Sequence, residues 1–402
     1  MTDKKLYNYL VSIITLAFLL SGYLLENMGI KYISEGGSPL FKIHVYSYLI
    51  FFTFFILVIS GRYKTHFTLL SKINKAWMTS VILVSLSIVY GLYKQGTSGM
   101  AYFIDTIMSP IILVFLLSAL SRERADKLLT FVAWLLLLNS SIAICEFMLN
   151  KTLVPVEYEN FTFFRSTALL NHALNNALIT AALSPILMNK TRVPALIYFA
   201  ISFLALFCYG GRGAMGLYLI CTVFISMGTL KMFVTTGIKI DKLKFSLYQA
   251  SFVVLILLLA LILINTEMGS RILSKLHVDN SAQVRFDVFI LLEQLTITEW
   301  LFGASDYLMS SVKFFIGVGT IENYFIGWIL SGGVIFASMI FISCFYIPFK
   351  IASSKSLLMK VSLFSFVLIS LTNNALTTKT PALLLLYCVL YCNYIVVNRK
   401  KI

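Results

Sequence analysis

Arg165, Arg212, Arg271 and Arg285 sit where the chain carries few other cations, and His172 and Glu322 lie close to the same segments in sequence. Guanidinium forks suit phosphate and pyrophosphate, because each offers paired, charge-assisted hydrogen bonds. Arg212 falls within Gly210-Gly211-Arg212-Gly213, where the glycines let backbone approach a ligand closely. Arg165 directly precedes an apolar run, and Arg285 opens an amphipathic stretch. Glu322 precedes another apolar run, and a carboxylate placed there can act as general base toward a hydroxyl. His172 lies in LLNHALNN (169–176) with Asn171, Asn175 and Asn176. So polar a turn beside an apolar run implies a protein-lined cavity rather than lipid contact. Plainer roles fit the same residues. Arg165 suits a helix-end anchor pairing with Glu157 or Glu159, Arg212 a lipid-headgroup contact, His172 a satisfied polar contact, and Glu322 a favourable charge at a helix N-terminus.

The elements that must position these groups are apolar helices. The chain has 402 residues, 59% hydrophobic and 12% charged, where a soluble domain carries about 25% charged residues. Runs near 7–25, 43–60, 77–93, 101–120, 128–149, 167–189, 194–209, 213–230, 246–265, 323–349, 356–373 and 380–398 are each near the length of a membrane-spanning helix. The expected fold is therefore an all-α polytopic bundle of about twelve spans, a single membrane domain over 1–402, its first run retained as a helix. Asp105 and Pro110 make the fourth run the weakest. One set of connecting loops holds 21 of the 32 basic residues and 4 of the 17 acidic ones, a net +17 against −2 on the other side. That bias places both termini in the cytoplasm. It also accounts for the basic balance by topology and anionic lipid, with no call for nucleic acid. The four arginines named above then lie on the outer side. So does a long loop at 266–321, in which 284–303 alternates apolar and charged residues as an interfacial helix does, or as a loop helix packed on the roof of the protein does.

Several chemistries find no support. The six cysteines form no Cys-x-x-Cys pair, and Cys388 and Cys392 share a helix face without a histidine or carboxylate nearby in sequence. His44, His66 and His277 lack metal-ligand spacing. No Walker loop or dinucleotide fingerprint is present. No metal and no cofactor is expected.

Three segments resemble the O-antigen polymerase and O-antigen ligase superfamily of bacterial envelopes. FFRSTALLNHALNNALITAAL (163–183) is similar to its Arg-x-x-Gly helix start, matching Arg165; YGGRGAMGLYL (209–219) is similar to its Ser-Arg-(Gly/Ser) motif, matching Arg212. The stretch from RFDVF (285–289) through EWLFGAS (299–305) to IENYFIGWILSGGVIF (321–336) matches at Arg285, Gly303, Asn323, Gly332 and Gly333. The likeness covers roughly 160–340. Glu322-Asn323 stands where a ligase carries His-Asn, which points to a polymerase.

The resemblance implies transfer of a glycan from undecaprenyl diphosphate to an acceptor hydroxyl at the periplasmic face of the inner membrane. Arg165, Arg212 and Arg285 would hold the diphosphate and Glu322 would activate or orient the acceptor, with His172, Asn175, Arg271 and Asn323 contacting substrate. Asp105 or Glu146 would line the acceptor path. Donor and acceptor lipid-linked glycans, bilayer lipids and a chain-length regulator are the implied partners. The alternatives are the ligase, and in a different class a flippase; charges clustered on one face, not at mid-span, favour an enzyme.

Overall fold

A computed structural model describes residues 3–155, 164–237, 289–305 and 321–398, apart from 35, 71, 98–99 and 354–355, with scattered helical positions at 241–257 and 307–310. Among these residues every regular element is helical. In chain order they are α1 (Asp3–Leu19), α2 (Gly22–Asn27), a 3-10 turn (Pro39–Lys42), α3 (Val45–Ile59), α4 (Tyr63–Leu69), α5 (Asn74–Gln95), a π-helix (Phe103–Met108) and α6 (Ser109–Leu117). There follow α7 (Arg122–Leu149), α8 (Ala173–Leu187), α9 (Ala195–Cys208), α10 (Arg212–Thr236), α11 (Ile297–Phe302), α12 (Tyr324–Ala352), α13 (Leu357–Ser370) and α14 (Ala382–Asn398).

The chain is a helical membrane protein. Asn74–Lys94, Arg122–Leu149 and Tyr324–Ala352 are long and apolar enough to cross a bilayer by themselves, and α3 with α4, bent by 106°, make a fourth if taken as one broken span. Six further apolar helices are shorter. The core sits around α14, which packs on α6, α7, α8 and α12. Every residue from Ala382 to Asn393 is buried, so α14 is apolar all round, as a helix enclosed by others must be.

Three expectations need correction. The apolar run at 167–189 becomes helix only from Ala173, because the backbone of 166–169 bonds to other elements. The fourth run is not one regular helix: its N-terminal part is the π-helix carrying Asp105, and the α-helical ladder resumes at Ser109 beside Pro110. The described part of 284–303 is not one interfacial helix either. It breaks at 294–296, where Thr296 and Glu299 form a reciprocal cap. Donors from Ser305 and Thr296 hold the Glu299 carboxyl down to about 2, so this acid serves as a cap. Leu291 and Leu295 enter the core and α11 packs on α12, so the segment lies on protein. The run at 246–265 lies almost wholly outside the described residues.

Candidate functional site

The end of the bundle at which α7 ends and α8 begins is organised by two buried carboxylates. Glu146, near the end of α7, accepts Leu153 N–H on Oε1 at 2.6 Å, and Thr167 and Ala168 N–H on Oε2 at 2.8 and 2.9 Å. The same stretch is tied down at Ser166, whose N–H donates to Cys208 O at 3.0 Å and whose hydroxyl donates to Ala143 O at 2.6 Å. Leu169 N–H reaches Asn139 Oδ1 at 3.0 Å. Non-helical backbone is thereby kept inside the bundle with its polar groups satisfied, the condition on which a membrane protein tolerates it. Ala168 (φ 42°) and Asn171 (φ 51°) adopt left-handed backbone, a strain that persists only where surrounding contacts over-determine it.

This pinned segment carries Arg165 to the head of α8. Its guanidinium lies near enough to act electrostatically on His172. His172 caps α8, its Nδ1 accepting Asn175 N–H at 3.3 Å. Asn176 Nδ2 binds Thr167 O and His172 O, and Asn139 Nδ2 joins Asn176 Oδ1 to Tyr209 OH. Asn175 Oδ1 and Thr167 Oγ1 are buried polar atoms that no group among the described residues reaches. Arg212 is brought alongside by the three-residue turn from α9: Cys208 O holds Ser166, and Gly211 packs so closely on α8 that a Cβ there would lie 2.7 Å from that of Ala177. As the first residue of α10, Arg212 puts a cation where the helix dipole favours an anion.

Asp105, expected like Glu146 to line an acceptor path, is instead an anchor. It accepts Tyr32 OH at 2.8 Å, Ser47 OH at 2.6 Å and His44 N–H at 3.0 Å, fastening the loop between α2 and α3. Asn171 Nδ2 donates to Ser21 Oγ and joins the head of α8 to the start of α2. Lys379 lies on the other flank of that loop. Its ammonium stands 4.3 Å from the Tyr32 ring centroid and donates to Tyr32 O at 2.5 Å. Tyr32 and Lys379 carried a legible sign, an aromatic and a cation between apolar runs, yet only the fold puts them together. Burial pulls the Lys379 ammonium down to about 8, with Asp105 drawing it back up. A lowered pKa means that the neutral amine accumulates earlier as pH rises. Acylation of Lys379 by an amine-reactive reagent should therefore climb through pH 8, well before an ordinary lysine near 10.4. Peptide mass spectrometry across pH 6.5–10 would show this; a climb only above pH 10 would refute it.

Glu322 and Asn323 stand at the head of α12, where Gly327 approaches Thr377. Asn323 was expected to contact substrate, but its Oδ1 is engaged as the helix cap by Phe325 and Ile326 N–H at 3.0 and 3.2 Å. Arg271 and Arg285 lie outside the described residues. Of the expected set, the fold therefore gathers Arg165, His172, Asn175 and the Arg212 turn around the head of α8.

The matched glycines have a shared geometric role. Gly333 breaks α12 (φ 85°, ψ 173°), and the end of α11 docks into the break. Ala304 N–H donates to Leu330 O at 2.8 Å, and Phe302 O accepts Tyr90 OH at 2.8 Å and the Lys94 ammonium.

No model of a known protein family matches the chain, and no curated protein matches it.

Proposed function

We propose that this chain polymerises oligosaccharide repeat units carried on undecaprenyl diphosphate, building O-antigen or a related surface polysaccharide without a metal. The observation that carries the reading is the meeting of Arg165 and the Arg212 turn at the pinned, non-helical head of α8. Two guanidinium-bearing segments beside a helix N-terminus suit a diphosphate leaving group, whose developing charge they would stabilise. The unreached acceptors Asn175 Oδ1 and Thr167 Oγ1 suit the hydroxyls of a glycan, since a buried acceptor calls for a donor. Glu322 is the proposed base or orienting group for the acceptor hydroxyl, and Arg285 a third phosphate ligand. The proposed setting is the bacterial inner membrane, with twelve spans, both termini cytoplasmic and the arginines periplasmic. The bias of basic residues toward one set of loops supports that orientation.

Deleting the gene and resolving the envelope polysaccharide on a gel tests the reading. A polymerase mutant leaves core bearing a single repeat unit, whereas bare core with accumulated lipid-linked polymer would assign the ligase, and an unchanged ladder would refute both. Complementation with Arg165→Ala or Arg212→Ala should lower polymer by about a hundredfold, the loss expected when one charge-stabilising donor is removed, at unchanged protein level. Full ladders from both variants would remove the diphosphate role.

A further inference from the structure

A groove of about 650 Å³ runs between α10, the end of α12 and the start of α13, lined by Ile220, Phe224, Phe349, Phe364, Val367 and Lys360 among others. It is separate from the head of α8. Ile220 and Phe224 lie 8 and 12 residues beyond Arg212 on α10, about 12–18 Å along the axis at 1.5 Å per residue. The floor offers nothing polar to bind, because Cys221 Sγ and Ser365 Oγ satisfy each other at 2.9 Å. The walls are apolar side chains that are themselves exposed: Ile220, Phe224, Phe349 and Phe364 are each about half exposed or more. Among the described lining residues the one charge is Lys360, in the first turn of α13. It shares the hairpin end with exposed Lys350, the last basic residue of α12.

We infer that this groove holds an anionic phospholipid of the bilayer, its acyl chains between α10 and α13 and its phosphate on Lys360. An apolar channel with a single cation at one end matches the shape of that molecule: a flexible tail that fills the walls and a negative head that meets the ammonium. Basic pockets between helices on the cation-rich side of a membrane bind anionic headgroups in this way, and a lysine there extends its stem along apolar surface with its charge toward the headgroups. An extended peptide would bring unpaired backbone donors and acceptors, for which the paired floor and apolar walls provide no partners. The inference is independent of the proposed catalytic role.

Native mass spectrometry of the full chain, with phosphatidylglycerol and phosphatidylcholine added in equal amounts, provides the test. The wild type should retain phosphatidylglycerol about fivefold over phosphatidylcholine, the worth of one lysine near the headgroup plane. Lys360→Gln should abolish that preference and leave phosphatidylcholine retention unchanged. Val367→Trp, which fills the groove, should lower retention of both. No preference in the wild type, or an undiminished one in Lys360→Gln, would overturn the inference. So would a polyprenyl phosphate displacing phosphatidylglycerol from the wild type, which would assign the groove to the isoprenoid carrier. Lys360 is exposed, so its variant carries the test even if Val367→Trp does not fold.

Discussion

Glu146→Ala is expected to lower stability by about 2–6 kcal/mol, because it strips the acceptor from two buried N–H groups and a third, partly buried one at once, and each buried group costs about 1–3 kcal/mol when left unmade. Leu153, Thr167 and Ala168 lose their partner together, and local helix cannot replace it: Ala168 is already in left-handed backbone and Ser166 is bonded to α9. Glu146→Gln keeps one amide oxygen, so it should fall between alanine and wild type. Thermal unfolding in detergent, followed by fluorescence-detected size exclusion, would rank the three. A wild-type melting temperature for the alanine variant would show that the carboxylate does not hold this loop. Since the segment it holds carries Arg165, the proposed polymer formation should fall in the same order.

Much of the architecture was written in local patterns. Apolar run length gave the positions of most helices, and Gly210-Gly211-Arg212-Gly213 gave the tight α9–α10 turn, with Gly210 at φ 69°. Thr296 and Glu299 carried the spacing of a capping box that cuts the amphipathic stretch in two. What was not legible depends on partners distant in sequence. The apolar run from 167 has nothing local to delay helix until Ala173; the delay comes from Glu146 and Asn139, more than twenty residues earlier. Asp105 and Glu146 read as carboxylates near outer helix ends. The fold turns them into anchors because each meets donors from a loop that sequence could not dock. The site divides along the same line. Residue type marked Arg165 and Arg212, whereas the cap roles of His172 and Asn323 follow from where α8 and α12 begin. The Tyr32–Lys379 contact joins residues 347 positions apart, beyond any local pattern.

Gly333→Ala should undock α11 from α12 and lower stability by about 3 kcal/mol or more. Two independent costs add. With φ 85° and ψ 173°, Gly333 occupies a region essentially confined to glycine, where another residue is strained by about 1–3 kcal/mol. A Cβ on Gly333 would also strike backbone, meeting Leu301 O, Leu301 C and Phe302 N. Backbone cannot rotate away as a side chain can, so the strand of contacts from Leu301 to Ala304 must lift. Gly303 adds to the constraint at φ 92°, with Gly332 N only 2.7 Å from the place its own Cβ would take. Gly303 and Gly333 thus let two backbones pass at a distance no side chain permits, as α11 enters the break in α12. Lifting it releases the bond from Ala304 N–H to Leu330 O and the hold of Tyr90 and Lys94 on Phe302 O. Hydrogen exchange in a peptide spanning 297–305 should therefore lose protection in Gly333→Ala. Gly327→Ala is the control on the same helix: its Cβ would meet only a side-chain methyl, Thr377 Cγ2 at 3.4 Å, and protection should stay at the wild-type level. Equal protection in wild type and Gly333→Ala would mean that the break does not depend on glycine. On the proposed polymerase reading, polymer length should shorten in Gly333→Ala and not in Gly327→Ala, which would tie a break in an apolar helix to the proposed chemistry.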